Sequence, residues 1–285
     1  MLIARRRTTL LATAAVIGLG VSAGACMRPD PKSSPPLRKP SDREVLAMRY
    51  AMAEALVQRE QYGQAAPYVR DLLALQPKDA RLHYLLGVIL REQGVEGAAE
   101  RELHKSVQLQ PKAPAAYAAL AVLRTKQRKL HAAEKLLRRA VELSPRSTRY
   151  HSDLGFCLLL QRRLPDALQS LEEAVRLDPS NRRAFNNLGL VLGLQGKRDA
   201  AMKAFRQAGS LVMALTNMGF VAQMRGRPLQ ARRYYERALQ KRADFAPALR
   251  NLRSLDPNAA AAYAPQAADP EPKPKSKPKS KKESK

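Results

Sequence analysis

Six side chains of this sequence could act as nucleophiles, metal ligands or acid–base groups near neutral pH: Cys26, Cys157, His83, His104, His131 and His151. Their spacing argues against most of that chemistry. The two cysteines lie 131 residues apart, which gives neither a paired metal-ligand motif nor a disulfide framework. No two histidines stand four residues apart on one helix face, and HExxH, P-loop and GxSxG motifs are missing. The histidines are expected to be packing or surface residues. No catalytic residue, metal or cofactor is assigned, and the chain is expected not to be an enzyme.

The elements that position these side chains are read from a repeat. The stretch from Thr148 to Asn181, TRYHSDLGFCLLLQRRLPDALQSLEEAVRLDPSN, serves as the ruler, with Thr148 at position 1. In steps of 34, position 8 falls on Ala53, Gly87, Ala121, Gly155 and Gly189, and position 20 on Ala65, Ala99, Ala133, Ala167 and Ala201. Position 32 falls on Pro77, Pro111, Pro145 and Pro179. Small residues at 8 and 20 let two short helices, A and B, approach closely, while bulk at position 7 (Leu120, Leu154, Leu188) fills the space around them. Gly94, Gly196 and Gly226 share position 15, where the end of helix A would turn left-handed. Pro67, at position 22, is expected to displace the second helix or make it irregular.

After Gly189 the next equivalent glycine is Gly219, only thirty residues on, so four residues are expected to be missing from the loop around Gly209 to Val212. This pattern resembles the repeating helix pair of tetratricopeptide (TPR) proteins. The resemblance implies an all-α, right-handed superhelical solenoid with repeats 46–79, 80–113, 114–147, 148–181, 182–211 and 212–245 and a capping helix 246–255. A core of Ala, Leu and Val suits that reading, since only 5% of the chain is aromatic and none is tryptophan. Cys157, inside helix A of the fourth repeat, is expected to be a small buried hydrophobe.

The flanks differ in composition. Residues 1–25 carry Arg5, Arg6 and Arg7, an apolar run from Thr8 to Val21, and then Ser22, Ala23, Gly24 and Ala25 before Cys26. This resembles a bacterial lipoprotein signal, which implies cleavage before Cys26 and acylation of its thiol; Ala23 stands where such signals usually carry Leu. An ordinary secretory signal cut near Ala25 and an uncleaved anchor are the alternatives, and the arginine triplet also resembles a twin-arginine export signal. All of them place the mature domain outside the cytoplasm. Residues 26–45 begin MRPDPKSSPPLRKPS after the cysteine and read as a proline-rich tether. Residues 256–285 end in DPEPKPKSKPKSKKESK and are expected to be disordered.

A binding surface is the function the repeats could carry. Positions 9 and 13 of helix A share a stripe: Phe156 and Leu160, Leu190 and Leu194, Phe220 and Met224 in repeats 4 to 6. In repeats 1 to 3 the stripe is mixed: Glu54 and Gln58, Val88 and Glu92, Val122 and Lys126. By the TPR resemblance, these positions look into a concave groove, and the six apolar residues form a docking floor for an amphipathic helix or extended peptide. Position 6 adds Asp153, Asn187, Asn217 and Asn251, whose counterparts in some TPR proteins bind a peptide backbone. Packing on the next repeat, and local hydrogen bonding of the asparagines, are the plainer alternatives.

The formal net charge of +26 predicts attraction to polyanions. The lysine tail could meet an anionic surface such as lipid head groups, and export argues against nucleic acid. Signal, Cys26 and six repeats together look like the TPR lipoproteins that help secretin channels assemble in type IV and tight-adherence pilus systems. AFNNLGLVLGLQGKRDAAMKAFRQAG, with the shortened repeat after it, looks most like the tight-adherence lineage. Met27 after the cysteine resembles signals that send lipoproteins to the outer membrane. The expected function is a membrane-anchored adaptor for a protein partner on the periplasmic side. The alternatives are a scaffold for cell-wall enzymes or envelope complexes, and a basic nucleic-acid-binding or cytoplasmic TPR protein.

Overall fold

The computed structural model describes residues 41–258 and Tyr263. A unit boundary falls between Asp42 and Arg43, and the repeats belong to the second unit. The expected signal (1–25), Cys26, nearly all of the tether and most of the tail lie outside the described residues.

The described residues form thirteen α-helices and no strand. The A helices are α1 Asp42–Gln58, α3 Ala80–Glu92, α5 Pro114–Lys126, α7 Thr148–Leu160, α9 Arg182–Leu194 and α11 Leu211–Met224. The B helices are α2 Tyr62–Leu75, α4 Glu96–Leu109, α6 Leu130–Leu143, α8 Leu164–Leu177, α10 Arg198–Ala208 and α12 Pro228–Lys241, and α13 Ala246–Leu255 closes the array. Consecutive A helices from α3 onward touch one another, whereas α4, α6, α8, α10 and α12 do not. Elements on the inside of a bend crowd together, so the A helices line the concave face of the solenoid.

Close approach within each pair follows from the small residues. A Cβ built at Gly155 would lie 2.5 Å from Leu171 Cγ and 3.2 Å from the Ala167 carbonyl, so glycine is what lets α7 meet α8. The turn between A and B is left-handed in every repeat. Gly94, Gly196 and Gly226 supply positive φ at position 15, and Glu60, Arg128 and Arg162 adopt φ of 60°, 61° and 63° at the same place. Capping is concentrated on A helices: Asp79 accepts from the Arg81 and Leu82 N–H groups, and Asn181 from that of Ala184.

Three boundaries and local expectations are revised. α1 begins at Asp42, so residues 42–45 are helical where the sequence placed the end of the tether. α2 runs through Pro67 without interruption. The carbonyl that loses its partner there belongs to exposed Gly63, near the helix start, where water can replace the bond. The deletion in the fifth repeat falls mainly in helix B: α10 has 11 residues where α8 has 14, and the linker to α11 shrinks to Gly209 and Ser210. At the other end, Asp256 accepts from Arg232 at 2.8 Å and Tyr263 packs on the last hydrophobic cluster, so the chain stays engaged past Leu255.

Two of the four histidines tie loops. His83 Nε2 lies 3.0 Å from the Pro77 carbonyl and His151 Nε2 lies 2.8 Å from that of Pro145; Tyr117 Oη donates to that of Pro111 at 3.1 Å. All three sit at position 4 and reach back to the position-32 proline of the preceding repeat. Cys157 is buried, with its thiol 3.4 Å from the Leu130 carbonyl. Among the described residues no helix is long and apolar enough to cross a membrane, and no three His, Cys, Asp or Glu side chains gather as a metal-ion set.

Glu134 joins repeats 3 and 4. Arg138 donates to it at 2.8 Å, Gln161 at 3.0 Å and Arg163 at 2.7 Å. Burial pushes its carboxyl up, but these donors outweigh burial and hold it at about 2. A depressed acid stabilises the fold above its unfolded value and loses that contribution as the pH falls toward the folded one. Glu134→Gln is expected to lower stability by about 1–3 kcal/mol at neutral pH. The difference from wild type should narrow in denaturant titrations between about pH 4 and pH 2.

Candidate peptide-binding groove

The concave face has two sectors that differ in chemistry. In repeats 4 and 5 the apolar stripe is partly consumed by packing. Phe156, Leu160, Leu190 and Leu194 are half-buried. Phe156, Leu190 and Leu194 lie against the central cluster of Leu154, Leu158 and Leu188, and Leu190 also meets the cluster of Met218 and Val221. In repeat 6 the stripe is open: Phe220 is 42% and Met224 38% exposed. Met213, seven residues before Phe220, is 38% exposed as well. It stands outside positions 6, 9 and 13, so the stripe read from the sequence does not include it.

The whole of α11, LVMALTNMGFVAQM, has no charged residue. A helix apolar on every side is normally buried on every side. Here one flank packs through Ala214, Leu215, Met218, Val221 and Ala222, while Met213, Phe220 and Met224, at i, i+7 and i+11, meet solvent. Methionines suit such a surface because their unbranched chains adapt to different partners.

The asparagines divide. Asn217 Nδ2 donates to Asn186 Oδ1 at 2.7 Å, which joins α11 to α9. Asn251 approaches the buried Tyr235 hydroxyl, which itself donates to Gln223 Oε1 at 3.1 Å. Asn187 is buried and makes no side-chain hydrogen bond among the described residues. Asn217 and Asn251 thus already have partners within the solenoid.

The second sector centres on Asp153. It is only 7% exposed, with Arg183 of α9 at 2.8 Å and Arg149 at 3.8 Å from its carboxylate. Beside it Ser152 Oγ is buried without a partner, as is Arg91 Nη1 from α3. The sequence-level signal was arginine at position 2 in repeats 2, 4 and 5 (Arg81, Arg149, Arg183), which the reading of positions 9 and 13 passed over.

Burial raises the pKa of Asp153, and the charges of Arg183, Arg149 and Arg91 only partly oppose that. A raised acid makes the native state bind the extra proton, so its charge costs stability at neutral pH and the cost is relieved as the pH falls through the folded pKa. Asp153→Asn is therefore expected to melt at or above the wild-type temperature at pH 7. The advantage should shrink toward about pH 4 in thermal scans.

The comparisons with known proteins agree with this architecture. A tetratricopeptide repeat model matches residues 50–114, 118–182 and 158–210, and a second one matches 211–243. No curated protein sequence matches the chain. Among solved structures, PilW, described as a widely conserved type IV pilus biogenesis factor, is similar with a TM-score of 0.62 at 17% identity, covering 74% of this chain and 98% of PilW. PilF of Pseudomonas aeruginosa is similar with a TM-score of 0.59 at 18% identity, covering 73% of this chain and 96% of that one. YrrB, described as a TPR protein with an unusual peptide-binding site, scores 0.50 at 19% identity, over 64% of this chain and 96% of YrrB. With family models spanning most of the described solenoid and the paired helices closing on Gly and Ala at the expected crossings, the chain belongs to the tetratricopeptide repeat family.

Proposed function

We propose that this chain is a non-catalytic, membrane-anchored adaptor that holds an amphipathic helix or extended peptide of a protein partner against the concave face of its last repeats. The observation that carries this reading is the uncharged α11 with Met213, Phe220 and Met224 open to solvent. Apolar side chains clustered in this way on an otherwise basic solenoid mark an interaction site. The partner is proposed to be an envelope protein, with secretin or pilus assembly as the process. The fold likeness to PilW and PilF accords with that process, and the peptide-binding description of YrrB accords with the groove. Anchoring is assigned to acylation of Cys26 and the location to the periplasmic face of the outer membrane.

The experiment is site-specific photo-crosslinking in cells from position 220, with position 237 on the exposed side of α12 as control. A secretin recovered from position 220 and not from 237 supports pilus assembly, and a cell-wall enzyme recovered there moves the reading to the envelope scaffold. Equal yields from both positions would remove the groove. Metabolic labelling with an acyl-chain probe tests the anchor: Cys26→Ala is expected to lose the label, and full labelling of that variant sinks the lipid anchor.

A further inference from the structure

The positive charge is not spread evenly over the solenoid. The A-to-B turns of repeats 3 to 6 read QRK (127–129), QRR (161–163), GKR (196–198) and RGR (225–227), whereas the turns of repeats 1 and 2 read REQ (59–61) and QGVE (93–96). Consecutive turns are stacked. Gln161 donates to the Leu130 carbonyl at 3.5 Å and to Glu134, and Arg225 Nη1 donates to the Gly193 carbonyl at 3.0 Å. A Cβ at Gly196 would lie 3.2 Å from the same Arg225 guanidinium, and Arg198, Arg225 and Arg227 line one open cavity. The turns of repeats 3 and 4 touch, as do those of repeats 5 and 6, and the successive packing of α5, α7, α9 and α11 sets all four along the A-to-B rim of the solenoid.

Most of this charge is uncompensated. Arg163 is paired with Glu134 and Asp166, and Asp199 is the other carboxylate at these helix starts. Arg128, Lys129, Arg162, Lys197, Arg198 and Arg227 are exposed or half-exposed and have no ion-pair partner among the described residues. Arg128 and Arg162 occupy left-handed backbone, as Glu60 does in repeat 1 and glycine does in the other three turns, so glycine can replace either without loss of backbone fit. At the end of this rim stands Leu229, 76% exposed, the most exposed large hydrophobic side chain among the described residues. An apolar side chain projecting among arginines is the arrangement that inserts at a lipid interface, the cations meeting phosphate head groups and the apolar group the acyl boundary.

We infer that the A-to-B turn rim of repeats 3 to 6 is a docking surface for an anionic phospholipid bilayer, with the basic turns as the electrostatic contact and Leu229 as the inserting group. This surface does not depend on the groove or on acylation, so it is tested on full-length protein carrying Cys26→Ser. The probe is co-sedimentation with vesicles of about 30 mol% phosphatidylglycerol in phosphatidylcholine, at about 0.15 M salt. Each basic residue near such a surface is worth about fivefold in binding. Arg128→Gly with Arg162→Gly should weaken binding about 25-fold and leave the melting temperature equal or higher, since both sites already have glycine's conformation. Adding Lys197→Gln, Arg198→Gln and Arg227→Gln should bring the loss to on the order of a thousandfold. Leu229→Ser should weaken vesicle binding about threefold or more and leave binding of a duplex oligonucleotide unchanged. The inference is overturned if the variants bind vesicles like their parent, which would assign the contact to the lysine tail. It is also overturned if pure phosphatidylcholine binds as well, or if Leu229→Ser has no effect while duplex DNA competes the vesicles away.

Discussion

Gly219→Val is expected to destabilise the C-terminal part of the solenoid by at least about 3 kcal/mol. A Cβ at Gly219 would lie 2.7 Å from Tyr235 Cδ1 and 2.9 Å from Cζ. Tyr235 has nowhere to go. It is fully buried, its hydroxyl donates to Gln223, and Ala231, Ala238 and Leu252 belong to the same cluster. Valine adds two further carbons to the clash and recovers little helix propensity over glycine. In a repeat array each pair is stabilised mainly by its neighbours, so damage at α11 and α12 is expected to stay local. Hydrogen exchange should accelerate in α11, α12 and α13 while α3 to α8 keep their protection. Gly63→Ala is the matched control: nothing lies within 4 Å of its Cβ, and the variant should gain up to about 1 kcal/mol. A Gly219→Val protein that unfolds in urea like wild type would show that α11 and α12 are not held together by this contact.

Phe220→Glu combined with Met224→Glu is expected to weaken partner capture by at least about 100-fold, with helicity and melting temperature near wild type. Both side chains are more than a third exposed, so a carboxylate at either position remains hydrated in the free protein. In the complex the same carboxylates would face an apolar partner surface without a counter-charge. Phe156→Glu with Leu190→Glu is a different experiment, because those residues pack on the central cluster and a charge there destabilises repeats 4 and 5 directly. Circular dichroism distinguishes the two cases. Capture that survives Phe220→Glu and Met224→Glu in a folded protein would remove the concave face of repeat 6 as the docking site.

Much of the helical architecture was legible because its signals are local and periodic. The small residues at positions 8 and 20 and the glycines at 15 mark crossings and turns that any chain with this pattern must make at the same places. Where expectation from the sequence failed, the competing effect was also local but lacked a sequence marker. Helix α2 runs through Pro67 because the carbonyl left without a partner, that of Gly63, is exposed near the helix start, and the fifth repeat loses helix as well as loop.

The candidate groove was legible only in part. Helical spacing identifies which side chains share a face, so Phe156, Leu190 and Phe220 could be assigned to one stripe from sequence. It carries no information about how closely the next helix covers that face. Neighbour packing withdraws Phe156 and Leu190 toward the core and leaves Phe220 and Met224 open, and it brings Arg91, Ser152, Asp153 and Arg183 together from three helices. The repeat and its turns could be read from the linear chain because each depends on residues within one helix pair, and the excess of positive charge follows from composition alone. Which apolar residues remain exposed, which charges are compensated, and that the basic turns lie along one rim emerge only in three dimensions, because burial and charge pairing depend on distances between repeats that the linear period does not encode.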